Sequence, residues 1–163
     1  MELRDLVHEL ISISVIHRYR ITKSALSVGL YFGQPKILEF LCENDSCSQK
    51  EIAAAMHITP ASATVSLKRM EKAELITRTP DENDVRKNHI SITEKGKNAL
   101  KEFRKICDTT DEDMFKGFSD EERNTLHKLL LRLHENLDSQ SLSKGEICDL
   151  LNKATPKGEN EDD

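Results

Sequence analysis

A mainly α-helical chain carrying one small β-hairpin is the fold class that the sequence predicts, and three observations predict it. Apolar residues recur at helical spacing over long stretches, at Leu3, Leu6, Leu10 and Ile13 and again at Leu126, Leu130, Leu133 and Leu137. Helix-start signals punctuate the chain between them, as Ser48 with Glu51, Thr59 with Pro60, Thr93 alone, and Ser119 with Glu122. The period turns strand-like in one place, where "LITRT" and "NHISIT" alternate around "PDENDVRK". Composition agrees, since 33% charged and 4% aromatic residues without Trp suit long helices with solvated faces.

In order, Leu3 to Ile16 mark one face of a long helix over residues 3–25. Gly33 and Gln34 break the chain, and Pro35 fits the first position of the helix "PKILEFLCEN". Ser48 and Glu51 form a capping box that opens "QKEIAAAMH". Thr59 caps the next helix, "PASATVSLKRMEKAEL", with Pro60 again at its first position. The hairpin follows. Thr93 then caps "EKGKNALKEFRKICDTTDEDMFKGF", and Ser119 with Glu122 opens "DEERNTLHKLLLRLHENL". A third box, Ser143 with Glu146, predicts a short helix "KGEICDLLNKA", and the charged residues 155–163 predict a disordered acidic tail.

Several function classes fall away. No stretch approaches the roughly 18 apolar residues that a membrane span needs. The charged start "MELRDLVHEL" is unlike a signal peptide, so the expected location is cytoplasmic. There is no Gly-rich phosphate loop, nucleophile motif or ligand-spaced cluster, so neither an enzyme nor a cofactor or metal site is expected. His127 and His134 share a helix face as solvated edge residues. Basic residues number 24 and acidic ones 29, yet residues 47–92 are the one segment that is not net negative. Regional charge, rather than the total, decides whether a nucleic acid can dock.

Two short helices joined by "MHIT" and followed at once by a hairpin have the order of a winged helix-turn-helix. In that design the second helix enters the major groove. Ala63, Leu67 and Met70 form its inward face, which leaves Ala61, Ser62, Thr64, Val65, Lys68, Arg69 and Lys72 outside. Ser62 and Thr64 can bond to phosphate or base, Val65 offers an apolar contact, and Lys68 and Arg69 can neutralise phosphates.

The stretch "ITPASATVSLKRMEKAELITRTPDENDVRKNHISITEKG" resembles the DNA-binding core of the MarR family of bacterial transcriptional regulators. The elements that carry the likeness are "KAELITR", the wing "DVR" and the following "ITEKG", with "GQPKILEFL" ahead; it covers residues 3–138. The resemblance places Ser62, Thr64, Val65, Lys68 and Arg69 on recognition-helix positions and Arg86 on the minor-groove arginine of the wing. A narrow minor groove attracts such an arginine. Asp84 matches a wing aspartate that braces the hairpin by pairing with Arg78 or Arg86. One departure is Glu74, at a position where the family usually has Gly, which predicts strain or a different shape in the turn into the first strand.

The resemblance also implies a homodimer on double-stranded DNA with a pseudo-palindromic operator. Residues 1–32 would be an N-terminal dimerisation region, 33–93 the DNA-binding lobe and 94–154 the C-terminal dimerisation helices. It implies a small-molecule effector pocket, for which Tyr19, Tyr31, Phe32 and Phe40 are candidate lining residues. The expected activity is repression relieved by a small-molecule or chemical signal. Two other readings stand beside it: a winged-helix module that binds protein, and a redox-responsive regulator using Cys42 and Cys47. Against the redox reading, Glu43 and Asp45 are expected to raise the thiol pKa. Cys107 and Cys148 read as structural thiols.

Overall fold

The computed structural model of the chain describes residues 2–80, 88–137, 142 and 146–147. The wing tip with Asp84 and Arg86, Cys148, most of the helix expected after Ser143 and the acidic tail lie outside the described residues.

The element order is α1 (Leu3–Ser27), α2 (Gln34–Glu43), β1 (Cys47–Ser48), α3 (Gln49–Ala55), α4 (Pro60–Lys72), β2 (Ile76–Pro80), β3 (Asn88–Ile92), α5 (Glu94–Met114) and α6 (Asp120–Leu137). The fold is mainly α with a small antiparallel sheet. Contacts group Met1–Lys116 as one compact unit and Gly117–Asp163, which holds α6, as a second.

Helix α1 ends in a Schellman motif. The Leu30 N–H donates to Ala25 O and the Gly29 N–H to Leu26 O, both 3.0 Å, with Gly29 left-handed at φ 74°. Leu30 and Ala25 are buried beneath that turn. Gly33, also left-handed, caps α2, and Pro35 lies in its first turn at the second position, one later than expected because Gln34 begins the helix.

Strand β1 is an addition to the expected hairpin. Cys47 pairs with Ile90 and Ser48 with His89, so the sheet runs β1-β3-β2. Two residues are too few to show alternation, and Ser48 announces itself only as a cap. It is both: its Oγ accepts the Glu51 N–H, and its own N–H donates to the Glu51 carboxylate at 2.7 Å. In the hairpin proper, Ile76 pairs with Ile92, Arg78 with Ile90 and Pro80 with Asn88.

Three helices end two or more residues earlier than the periodicity suggests, and α2 ends one residue early at Glu43. Helix α3 stops at Ala55 rather than His57, α4 at Lys72 rather than Leu75, and α5 at Met114 rather than Phe118. The stops of α3 and α4 share one cause. His57 (φ 52°) and Glu74 (φ 59°) take the left-handed conformation, and Ile58 and Leu75 close the turns onto Ala53 O and Met70 O.

The core of the first unit gathers Leu30, Ile37, Leu38, Leu41, Ile52, Leu67, Met70, Ile76, Ile90 and Leu100, all enclosed. Fully burying a side chain of this size contributes about 1.5–3 kcal/mol, so this cluster fixes how α2, α3, α4 and the sheet meet. Gly96 in the first turn of α5 is buried against the Leu75 carbonyl, and a Cβ there would also meet Ile92 Cγ1 at 2.9 Å. The α1 and α5 helices are tied by His17–Asp111 (2.8 Å) and Arg20–Asp113 (2.7 Å). No helix among the described residues is long and apolar enough to cross a membrane.

Candidate nucleic-acid interface

Helix α4 is oriented by the residues it buries. Ala63, Leu67 and Met70 are fully enclosed, as their spacing predicts, so the opposite face is forced outward. On that face Ser62, Val65, Lys68, Arg69 and Lys72 are exposed, Val65 to 61%. Glu71 is the acid of this helix, and Arg78 of β2 meets it at 3.0 Å, which leaves the positive charge of Lys68, Arg69 and Lys72 facing solvent.

The first turn of α4 is rigid. Thr59 Oγ1 accepts the Ser62 N–H (3.1 Å) and lies 2.9 Å from the Ser62 hydroxyl. The Thr64 hydroxyl donates to Pro60 O (2.8 Å) and accepts from Gln49 Nε2 of α3 (2.7 Å). Thr64 is therefore half-buried and links the two helices, with its donor already committed. Each hydroxyl still has lone-pair capacity for an outside donor, but Ser62 and Val65 are the more open of the three.

Arg69 leans on an aromatic ring. Its Cζ lies 4.4 Å from the centroid of Tyr31, which brings one expected DNA-contacting residue onto one expected pocket residue. Tyr19, Tyr31 and Phe32 are exposed, and Phe40 packs half-buried against the core. The depression between α3 and the start of α4, lined by Ala53, His57, Ile58 and Pro60 among others, involves none of these four aromatics.

Of the residues expected to support the wing, Arg78 alone lies among the described residues. Arg78 pairs with Glu71 of the recognition helix, so it braces the base of the hairpin against α4; Asp84 and Arg86 lie outside the described residues. Glu71 is a partner that the wing motif does not indicate, because it comes from the recognition helix rather than from the hairpin. At Glu74 the turn keeps the shape that Gly would give it, with a left-handed Glu in its place. The Glu74 carbonyl accepts the Thr93 hydroxyl (2.7 Å), and its carboxylate meets Lys95 at 3.0 Å.

Cys47 is buried, and its thiol is pushed up by that burial and then by Glu51. The acid responsible is Glu51, rather than the Glu43 and Asp45 expected from the sequence. Burial likewise raises Cys107, helped by Asp111 and Asp108. A raised thiol holds little thiolate at neutral pH and is a poor redox centre. Cys42 is exposed.

A capped helix pair with its second helix turned outward beside a small antiparallel sheet defines a winged helix-turn-helix protein. The pattern of the MarR family matches residues 31–87. The chain is 30% identical over 105 residues to the HTH-type transcriptional regulator BilQ of Clostridioides difficile, covering 64% of this chain and 68% of BilQ. Among solved structures, the YusO protein of Bacillus subtilis superposes with a TM-score of 0.74 at 22% identity, over 82% of this chain and 94% of YusO. A mutant of MepR from S. aureus, bound to an oligodeoxyribonucleotide, superposes at 0.65 and 21% identity, over 85% of this chain and all (100%) of that one. The chain belongs to the MarR family of DNA-binding transcriptional regulators.

Proposed function

We propose that this protein is a homodimeric, sequence-specific regulator that represses transcription from a pseudo-palindromic operator and is released by a small molecule or chemical signal. The observation that carries the reading is the outward face of α4, where Ser62, Val65, Lys68 and Arg69 stand on a helix held by three enclosed residues. Small and apolar groups near the helix start suit close approach to base edges, and the basic residues beyond them suit phosphates. Arg86, by its place in the wing motif, would enter the adjoining minor groove.

Dimerisation is supported by α1, on which Leu3, Leu6, Leu10, Ile13 and Ile16 are all exposed. An apolar stripe of that length is a surface for a partner. Two lobes on one dimer read two half-sites about one helical turn apart. A dimer seated on its operator excludes other proteins from that duplex, which is repression. An effector would act by binding more tightly to a lobe spacing that no longer fits the groove, and the exposed Tyr19, Tyr31 and Phe32 offer it aromatic surface.

Sequencing duplexes selected by the purified protein, then titrating the best one at several salt concentrations, tests the reading. Paired half-sites and a steep salt dependence are expected. Arg86→Ala should weaken binding by about 1–3 kcal/mol, and Lys68→Ala should reduce the salt slope by about one. Unaltered affinity in Arg86→Ala removes the wing from the interface. A chain that sediments only as monomer across a dilution series removes the dimer.

A further inference from the structure

We infer that Tyr31 is a positioning residue for the recognition helix: its ring holds the Arg69 guanidinium in place for DNA, an assignment that rests on the reading above. Arg69 Cζ sits 4.4 Å from the Tyr31 ring centroid, well inside the range of a cation–π contact. Tyr31 is 47% exposed, so the ring is a platform at the surface rather than a buried core residue. Its backbone is fixed from both sides. The Tyr31 N–H donates to Gln34 Oε1 (3.0 Å), and the Tyr31 carbonyl accepts the Gln34 N–H (3.0 Å). Gln34 is 2% exposed, and Leu30 on the other side is fully enclosed. An exposed ring on an immobile backbone is a fixed surface for a flexible partner.

A cation–π contact engages the guanidinium by its charge and occupies none of its N–H donors in hydrogen bonds, so they stay available to phosphate oxygens. The contact therefore orders the side chain before DNA arrives without using the groups that would bind it. It also completes a second grip on the helix. Arg69 and Glu71 are two positions apart on α4 and so lie on opposite flanks. Arg78 of β2 holds the Glu71 flank and Tyr31, ahead of α2, holds the other.

The test combines a spectroscopic signature without DNA and a double-mutant cycle with it. In DNA-free protein, the Arg69 side-chain protons should be shifted upfield by the ring. That shift should survive Tyr31→Phe and vanish in Tyr31→Leu. On the selected duplex, Tyr31→Leu should weaken binding about two- to fivefold, Tyr31→Phe should bind like wild type, and Tyr31→Leu should add nothing in an Arg69→Met background. Identical Arg69 shifts in wild type and Tyr31→Leu would overturn the inference. So would wild-type affinity in Tyr31→Leu, or a Tyr31→Leu effect that persists in full without Arg69. A wild-type protein with the ring shift intact that binds no duplex overturns the regulator reading and the role given to Tyr31 with it. The intact shift distinguishes that result from a missing contact.

Discussion

The lobe from α2 to β3 and the long helix α1 satisfy their apolar residues in different ways. In the lobe, Ile37, Leu38, Leu41, Ile52, Leu67, Met70, Ile76 and Ile90 are all enclosed by the same chain. Along the 25 residues of α1, Ala25 alone is buried, while Leu3, Leu6, Leu10, Ile13 and Ile16 are exposed. Helix α6, taken by itself, behaves like α1: it has no buried residue, and Leu129, Leu130, Leu133 and Leu137 are open. The same helical spacing of leucines thus has two meanings. Where short elements are packed around it, the stripe is a finished core; along α1 it is left exposed, and it is the surface that the proposed dimer would cover.

The largest expected effect contrasts the two stripes directly. Leu67→Ala should lower the unfolding free energy by about 2–5 kcal/mol, because it removes a fully enclosed side chain and leaves a cavity. That loss should not depend on protein concentration. Leu10→Ala, at a position that is 42% exposed, should act chiefly through concentration dependence, shifting the unfolding midpoint only where the protein associates. Denaturant titrations at two protein concentrations for each variant check this. Equal, concentration-independent losses would erase the distinction.

How much of this was legible in the sequence follows from the range of each interaction. The inward face of α4 could be read because Ala63, Leu67 and Met70 obey the helical period locally. The caps at Ser48, Thr59, Thr93 and Ser119 could be read because each bonds within three residues. Strand β1 could not, since its two residues carry no period and owe their conformation to Ile90 and His89. Arg69 on Tyr31 and Arg78 on Glu71 could not either. Both depend on where separate elements come to rest, and sequence spacing says nothing about that. The left-handed turn at His57 carries no local signal, because glycine, the residue that usually marks such a stop, is missing there; at Glu74 only the family resemblance marks the position.

A middle-sized effect tests the seam between the lobe and α5. Gly96 is buried, and a methyl group there would run into the Leu75 carbonyl and Ile92. Backbone cannot yield as a flexible side chain can, so Gly96→Ala should destabilise by about 1–3 kcal/mol. Thermal melts of the variant beside Leu67→Ala would show whether the seam belongs to the same cooperative unit as the core. A neutral Gly96→Ala would mean that α5 can move away from the turn and that the lobe is complete without it.

The smallest effect has the opposite sign. Glu74 holds φ 59°, a conformation that costs a residue with a Cβ about 1–2 kcal/mol and glycine nothing. Glu74→Gly should therefore stabilise the lobe, but by less than that, because glycine is also freer when unfolded. Removing the carboxylate also frees Lys95, an exposed pair 3.0 Å long that contributes little. The expected net gain is about 0.5–1 kcal/mol by denaturant titration. Because the Schellman turn is already formed, duplex affinity should be unchanged. A loss of stability would show that the pairing with Lys95 outweighs the backbone strain. A change in duplex affinity without one in stability would make the turn part of the docking geometry.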